Sequence, residues 1–328
     1  MSGVEPIGRY AGLTCYTANL TRYLASEPAI SGSGAVSRVA RSMRLAVRQE
    51  SSDGRLAFSH HDTPLHLLPD GTALAYAAAP TPRAALTDLS DDLREYGPVL
   101  VVANNARLPW SPAYGTGGAA PHWLLILEHH RDRWHVVDEF TGLLPRGEQR
   151  PYSGRVTTTM LLEAMQAPPQ WTAEQRMRNM MAFGLPVPVP AFAGALWLRR
   201  VPGHPVPARL SNGWLTGREQ VLLFLSEYVT THGVRADRHL DDIWAAAGHQ
   251  AYAYRWRLAR VATDDPARAA IQEALTCWVR LPRACWFVVE SARRGRPRPA
   301  SLRTAVEQLC VAELALQRDP TSIGGDGR

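Results

Sequence analysis

Two apolar segments separated by three charged residues constrain the fold of this chain more than any other feature of its sequence. The segments HWLLILEHH and RWHVVDEF are joined by the short connection Arg131-Asp132-Arg133. Strands with so short a connection pair as an antiparallel hairpin. The segment GPVLVVANN, bounded by Gly97-Pro98, predicts a third buried strand, and a loop rich in Pro and Gly (residues 108–121) leads from it to the hairpin. These three strands predict the core of a mixed sheet.

Helical patterns precede and follow this block. Leu13, Tyr16 and Leu20 recur at helical spacing and predict a helix from about residue 14 to just before Pro28. We expect a second helix over about residues 35–48, then a loop-rich stretch, then a third helix before the sheet. After about residue 152 the strand pattern fades, and after residue 216 the chain is almost entirely helical. The predicted fold class is α+β.

Changes in composition divide the chain into four parts. Residues 1–150 are predicted to form the α+β domain. Residues 151–210 are predicted to be connecting helices with a Pro-rich linker, and residues 211–318 a helical C-terminal region. The last ten residues, 319–328, are polar and rich in Gly, so we expect a disordered tail.

The cysteine and arginine contents indicate the cellular compartment and the kind of partner that this chain is expected to have. The four cysteines lack the spacing of a disulfide framework or a zinc site, and we find no leader or membrane-spanning segment, so we expect a reducing cytoplasm. The sequence contains no lysine, and residues 255–303 hold eleven arginines against four acidic residues. An acidic protein would suit this excess; a solvated helical face is an equally good interpretation. No recognition motif supports nucleic-acid binding.

Cys15 and His122 are the residues whose positions suggest chemistry. Cys15 falls in the first turn of the predicted first helix, where free N–H groups and the helix dipole stabilise a thiolate. A small core residue is the other interpretation of such a cysteine. His122 opens the first strand of the hairpin and is placed to accept a thiol proton. Asp138 ends the second strand, where hairpin geometry brings it beside His122 to fix the imidazole tautomer.

The order Cys, His, Asp, with the Cys on a helix and the other two on adjacent strands, is what a papain-like hydrolase or transferase requires. The segments GLTCYTANLTRYL, GPVLVV…LPWSPAY and HWLLILEHHRDRWHVVDEF resemble the N-terminal domain of the butirosin biosynthesis protein H family. That family has a papain-like cysteine fold and is similar to the bacteriocin-processing peptidases. The resemblance covers residues 5–150. Two features depart from the family pattern: Glu139 stands where Pro is usual, and residues 127–130 replace a GYD turn.

The resemblance implies acyl transfer from a carrier-protein thioester to an amine through an acyl-Cys15 intermediate. It implies no cofactor beyond the phosphopantetheine arm that carries the substrate, and an acidic acyl or peptidyl carrier protein as the partner. The acceptor is a small molecule, the acyl chain itself in a cyclase, or water in a thioesterase. A papain-like peptidase or amidase, and a non-catalytic binding protein on the same scaffold, are the alternatives.

Further residues are candidates for binding substrate or an oxyanion. Arg9 and Tyr10 precede the cysteine, where papain-like enzymes place an oxyanion donor; a surface Arg and a packing Tyr are the alternatives. Asn104 is a candidate substrate contact or a turn former, and Trp110 and Tyr114 are candidate walls of an acyl channel. Two histidine groups, around residues 60–66 and 129–135, lack carboxylates or thiols at ligand spacing, so we expect no metal.

Overall fold

The computed structural model describes residues 10–50, 54–144, 147–166, 171–191, 194–203, 210 and 212–318. Within these residues the protein is a mixed α+β structure with an antiparallel sheet, which confirms the predicted class. The expected disordered tail and residues 204–209 of the expected linker lie outside the described residues.

The regular elements are numbered in chain order. The helices are α1 (Cys15–Leu24), α2 (Gly32–Arg41), α3 (Pro82–Tyr96), α4 (Thr158–Met165), α5 (Ala173–Met181), α6 (Arg218–His232), α7 (Leu240–Leu258), α8 (Ala267–Arg293) and α9 (Ala300–Arg318). The strands are β1 (Met43–Gln49), β2 (Leu56–His61), β3 (Thr72–Ala79), β4 (Val99–Asn104), β5 (Pro121–His130), β6 (Arg133–Asp138), β7 (Gly142–Leu144), β8 (Gly147–Gln149), β9 (Tyr152–Thr157) and β10 (Ala195–Pro202). Short 3-10 helices cover Asn105–Arg107 and Gly233–His239.

The chain forms two compact units. The sheet unit comprises Met1–Ser42 and His61–Leu210, and the helical unit comprises Met43–His60 and Ser211–Arg328. This division differs from the boundaries expected from composition. Residues 43–60 belong with the C-terminal helices because β1 and β2 pack against them, and β9 and β10 of the expected connecting segment are strands of the main sheet.

The sheet unit contains one six-stranded sheet in the order β3-β10-β4-β5-β6-β9. Every pairing in it is antiparallel, so the expectation of a mixed sheet was wrong. The predicted hairpin is β5–β6, and the predicted strand before it is β4. Since β4 is hydrogen-bonded on both sides and covered on both faces, every one of its residues is buried. This explains why its sequence is an unbroken apolar run rather than an alternating one.

Helices cover both faces of this sheet. On one face, Ala85 and Leu89 of α3 pack with alternate residues of the central strands, such as Val101 and Leu124. On the other face α1 lies on β5, where Tyr16 meets the ring of Trp123 edge-on, with ring centroids 5.1 Å apart. The site described below lies where the beginning of α1 meets the beginning of β5.

Three expectations about secondary structure were wrong. The second helix ends at Arg41 rather than near residue 48, and β1 follows it, with Met43, Leu45 and Val47 buried at the alternating spacing of a strand. The stretch expected to be loops contains β2 and β3. The strand pattern does not end at residue 152, because β9 lies at the edge of the sheet and β10 near its centre.

The helical unit packs α6–α9 and the β1–β2 hairpin around one apolar core. Its main buried charge is Glu313, which accepts hydrogen bonds from the Tyr254 hydroxyl at 2.7 Å and the Trp278 indole at 2.6 Å and pairs with Arg218. These donors replace the water that the carboxylate loses on folding. No helix among the described residues combines the length and the apolar character needed to cross a membrane.

His249 of α7 makes the helical unit sensitive to acid. It is buried, donates its Nδ1–H to the Ala245 carbonyl at 2.6 Å, and stacks on His60 of β2 with ring centroids 4.5 Å apart. Burial disfavours the charged imidazolium and lowers the pKa of His249 from 6.5 to about 4. Between pH 6.5 and about pH 4, His249 is protonated in the unfolded chain but neutral in the folded one. Folding stability therefore falls as the pH falls through this range.

We expect the free energy of unfolding to decrease by up to about 3 kcal/mol between pH 6.5 and pH 4 because of this one group. The measurement is urea denaturation of the wild type and of His249→Gln across that range. The variant should lose this part of the pH dependence. Equal pH dependence in both proteins would contradict the assignment.

Candidate functional site

Cys15 is the first residue of α1. Gly12 has φ of 94°, in the left-handed region that favours glycine, and turns the chain toward the helix. The Thr14 side chain caps the helix by accepting the Thr17 N–H at 3.3 Å. The cysteine is a free, half-buried thiol, and its own N–H lies where the helix supplies no carbonyl partner.

The hairpin brings His122 and Asp138 together as the sequence predicted. The β5–β6 register pairs Leu125 with Val137, which places the end of β6 beside the beginning of β5. His122 Nε2 donates to Asp138 Oδ2 at 2.8 Å. Both side chains are buried, with 4% and 0% of their surfaces exposed.

The third predicted residue completes the cluster. Cys15 lies close enough to His122 that its charge and side chain raise the pKa of the imidazole. Asp138 occupies Nε2 of the imidazole, which leaves Nδ1 as the nitrogen that can exchange a proton with a thiol. The structure therefore places the three side chains in the sequence thiol, imidazole, carboxylate.

The electrostatics of the cluster favour a charged imidazole. Burial alone would lower the pKa of His122, but the charge of Asp138, that of Cys15 and hydrogen bonds to both raise it well above its ordinary value. Burial works in the opposite direction on Asp138 and would raise its pKa. The neighbouring His122 and the donors around the carboxylate outweigh burial, and the pKa of Asp138 is lowered.

Five hydrogen bonds converge on the Asp138 carboxylate. Besides His122, Oδ2 accepts from the Trp110 indole at 2.9 Å and from the Gln149 amide at 2.8 Å. Oδ1 accepts from the Asn19 amide at 3.2 Å and from the Phe140 N–H at 3.1 Å. A carboxylate with this many donors remains ionised although it is buried.

Asn19 links the cysteine helix to the two strands. It lies one turn after Cys15 and is completely buried. Its Nδ2 lies 3.0 Å from the Cys15 carbonyl, 2.7 Å from the Trp123 carbonyl and 3.2 Å from Asp138, and its Oδ1 accepts the Glu139 N–H at 2.9 Å. One side chain thus fixes the start of α1 relative to both β5 and the end of β6.

Tyr76, on the edge strand β3, is a further polar neighbour of the cluster. Its buried hydroxyl donates to the Asn179 carbonyl at 2.8 Å. Burial raises the pKa of Tyr76 well above its ordinary value; the Trp123 indole works against this shift and the charge of Cys15 adds to it. Tyr76 is therefore an uncharged polar neighbour of the thiol.

The residues predicted to bind substrate or an oxyanion differ in how their positions fit that role. Arg9 lies outside the described residues. Tyr10 is buried in the turn before α1, where its carbonyl accepts the Leu13 N–H, so its place fits the packing alternative. Asn104 accepts the Ala106 N–H at 3.0 Å and caps a 3-10 helix, which fits the turn-forming alternative.

Trp110 and Tyr114, the two predicted aromatic residues of the loop before β5, differ in their contacts and exposure. Trp110, expected to wall an acyl channel, donates to Asp138 and stacks on Tyr152 with ring centroids 3.9 Å apart. Its indole thus supports the carboxylate, and its role as a wall of an acyl channel stays a prediction. Tyr114 is 56% exposed on the same loop and lines no enclosed wall.

Sequence reasoning missed Asn19 and Gln149. A signal for Asn19 was present in the segment CYTAN, since a polar residue four positions after the cysteine shares its helix face. Gln149 gave none, because its role depends on the pairing of β8 with β7 and on its contact with Asp138. Within the described part of the chain, no group of three or more His, Cys, Asp or Glu side chains is arranged to hold a metal ion.

Comparison with protein-family models and with curated proteins finds no match for this chain. The interpretation of the site therefore depends on its geometry and on the resemblance of the three sequence segments given above.

We expect Asn19→Ala to disturb the site more than a comparable change elsewhere. It leaves buried donors and acceptors without partners, which costs on the order of 2 kcal/mol of folding stability, and it frees the start of α1. The rate of Cys15 alkylation by iodoacetamide should fall. Asn104→Ala removes a single cap, so it should leave that rate unchanged. Equal rates for Asn19→Ala and wild type would contradict the positioning role.

We expect Asp138→Asn to lower the pKa of His122, because it removes the largest charge that raises it. Carbon-13 histidine NMR measures the titration, with the signal identified by its loss in His122→Gln. The raised pKa has a consequence for folding. The stability that it adds is fully present below pH 6.5 and is lost as the pH rises through the folded pKa. In Asp138→Asn this loss on the alkaline side should shrink; an unchanged His122 titration would contradict the arrangement.

Proposed function

We propose that this chain is a cysteine-dependent acyltransferase that acts on an acyl thioester. The observation that carries the proposal is the cluster itself: Cys15 stands at a helix N-terminus close to His122 and raises the pKa of its imidazole, and Asp138 holds His122 at 2.8 Å. We further propose that the sheet unit has a papain-like fold. A cysteine-bearing helix against an antiparallel sheet that carries His and Asp supports this, as does the resemblance to the butirosin biosynthesis protein H family.

The first half of the reaction acylates the enzyme. Cys15 transfers its proton to His122, and the sulfur attacks the thioester carbonyl carbon. The carbonyl oxygen becomes an oxyanion, and the backbone N–H of Cys15 is oriented to donate to it. Collapse of the tetrahedral intermediate breaks the bond to the leaving thiol, which takes the proton from His122. The products are acyl-Cys15 and the free thiol of the carrier arm.

The second half transfers the acyl group. An acceptor amine or hydroxyl loses its proton to His122 as it attacks the acyl-Cys15 carbonyl. The carbon–sulfur bond breaks, Cys15 recovers the proton from His122, and the enzyme returns to its resting state. Asp138 remains an anion throughout, because the four donors besides His122 do not depend on the charge of the imidazole.

The thioester is the substrate class that this site suits best. Exchange of one thiol for another at a carbonyl is nearly balanced in energy and requires no protonation of a poor amine leaving group. An acyl chain carried on the phosphopantetheine arm of an acidic carrier protein fits this chemistry and the resemblance. The acceptor is a small-molecule amine, a nucleophile within the acyl chain, or water.

The test is intact-protein mass spectrometry after mixing the protein with a short acyl-pantetheine thioester. We expect a mass gain of one acyl group on wild type and none on Cys15→Ala. Cys310→Ala is the matched control, since it removes another free, partly exposed cysteine, and it should gain the same mass as wild type. Adding candidate amines should then remove the acyl group and reveal the acceptor.

Three outcomes would change the conclusion. A gain on both wild type and Cys15→Ala would place the nucleophile elsewhere. The absence of any gain, together with a Cys15 that iodoacetamide does not alkylate, would refute catalysis by this cysteine. Cleavage of peptide substrates without acylation by the thioester would assign the site to a peptidase.

A further inference from the structure

The positive charge of this protein is concentrated in one short segment. Residues 276–303 contain seven arginines and one acidic residue, Glu290, which is an excess of six positive charges. The net charge of the whole chain is also +6, so the remaining residues are balanced overall. The segment covers the second half of α8, the following loop and the beginning of α9.

The outer face of α8 combines this charge with exposed apolar side chains. Val279, Trp286 and Phe287 are 42%, 52% and 39% exposed. Arg280 and Arg283 are exposed on the same face. Spacings of three, four and seven residues place all five side chains side by side on the helix. Exposed aromatic residues among arginines are the composition that recurs at the centres of protein interfaces.

The two arginines in this face are not neutralised within the described part of the chain. Glu290 lies one turn further on and is engaged by Arg293 and Arg294, at 2.5 Å and 3.0 Å. Neither Arg280 nor Arg283 forms an ion pair among the described residues, so their charge is available to a partner. The partner that complements this face is negatively charged.

The order of side chains around the helix selects among negatively charged partners. Arg283 lies three residues before Trp286 and four before Phe287, so it is adjacent to both on the helix surface. Helices that lie on a membrane surface carry their charges on the face opposite their aromatic residues, whereas Arg283 lies among the rings of this face. Nucleic-acid backbones supply phosphates but no apolar pocket for Val279. A protein surface that alternates carboxylates with apolar side chains satisfies both kinds of group.

We propose that this face of α8, defined by Val279, Arg280, Arg283, Trp286 and Phe287, is a docking surface for an acidic amphipathic helix of another protein. Trp286 and Phe287 enter apolar gaps on the partner, and the two arginines pair with carboxylates that flank those gaps. The inference depends on the charge and exposure of α8 and not on the chemistry of Cys15.

The experiment measures binding of a fluorescein-labelled acidic amphipathic peptide of about 20 residues, long enough to form five turns of helix. Glu and Leu alternate on one face of the peptide. Fluorescence anisotropy should show binding to wild type that weakens as salt is raised. Trp286→Ala and Arg283→Glu should each raise the dissociation constant about tenfold or more. Both positions are exposed, so circular dichroism should show unchanged folding.

Arg235→Glu is the matched control, since it makes the same change of charge at an exposed arginine in the Gly233–His239 segment. It should leave the dissociation constant within a factor of two or so of wild type, as expected for a charge outside the contact. Failure of the peptide to bind, or equal weakening by Arg235→Glu and Arg283→Glu, would overturn the proposal. Trp286-dependent binding to phosphatidylglycerol vesicles or to a single-stranded RNA, tighter than to the peptide, would overturn the choice of partner.

Discussion

The buried hydrogen bond between His122 and Asp138 is the interaction on which the organisation of the sheet unit depends. A carboxylate with no exposed surface is stable only if donors replace its water. The chain supplies those donors from four separate segments: the helix residue Asn19, the loop residue Trp110, the strand residue Gln149, and the backbone at Phe140. Burying Asp138 therefore requires α1, the loop before β5 and the β7–β8 turn to be in place together.

The position of Cys15 follows from the same requirement. Asn19 contributes to the shell of Asp138 and also contacts the carbonyls of Cys15 and Trp123. The contact that stabilises the acid also sets the distance between the cysteine helix and the strand that carries His122. This coupling accounts for a geometry that is suited to proton transfer, because a helix start held only by apolar packing has more freedom to slide.

The helical unit uses its charges in two different ways. Inside, Glu313 is surrounded by donors from Tyr254, Trp278 and Arg218, as Asp138 is in the sheet unit. Outside, the arginines of α8 lie among exposed aromatic side chains, and the adjacent carboxylate at Glu290 is already engaged. The buried carboxylates Asp138 and Glu313 are matched within the chain, whereas Arg280 and Arg283 of α8 form no ion pair among the described residues.

Local patterns determined much of this structure. The apolar run of β4, the β5–β6 hairpin, the first helix and the late helices were predictable, because each is set by residues close together in the chain. So was the proximity of His122 and Asp138, since a short hairpin connection brings the end of β6 beside the beginning of β5. The shift of register between Ile126 and Glu128 was not predictable. The order Cys, His, Asp then pointed to Cys15 as the third member.

Only the tertiary structure decided the rest. β10 pairs between β3 and β4 although it follows β4 by more than ninety residues. The β1–β2 hairpin belongs to the helical unit and not to the sheet unit. No local pattern encodes either arrangement. The roles of Asn19, Gln149 and Trp110 arise because segments distant in sequence converge on one carboxylate. The sequence by itself determined which residues are candidates for the chemistry, because side-chain type and local periodicity are local properties. The tertiary structure decided what surrounds them, because burial and hydrogen-bond partners exist only once distant segments pack together.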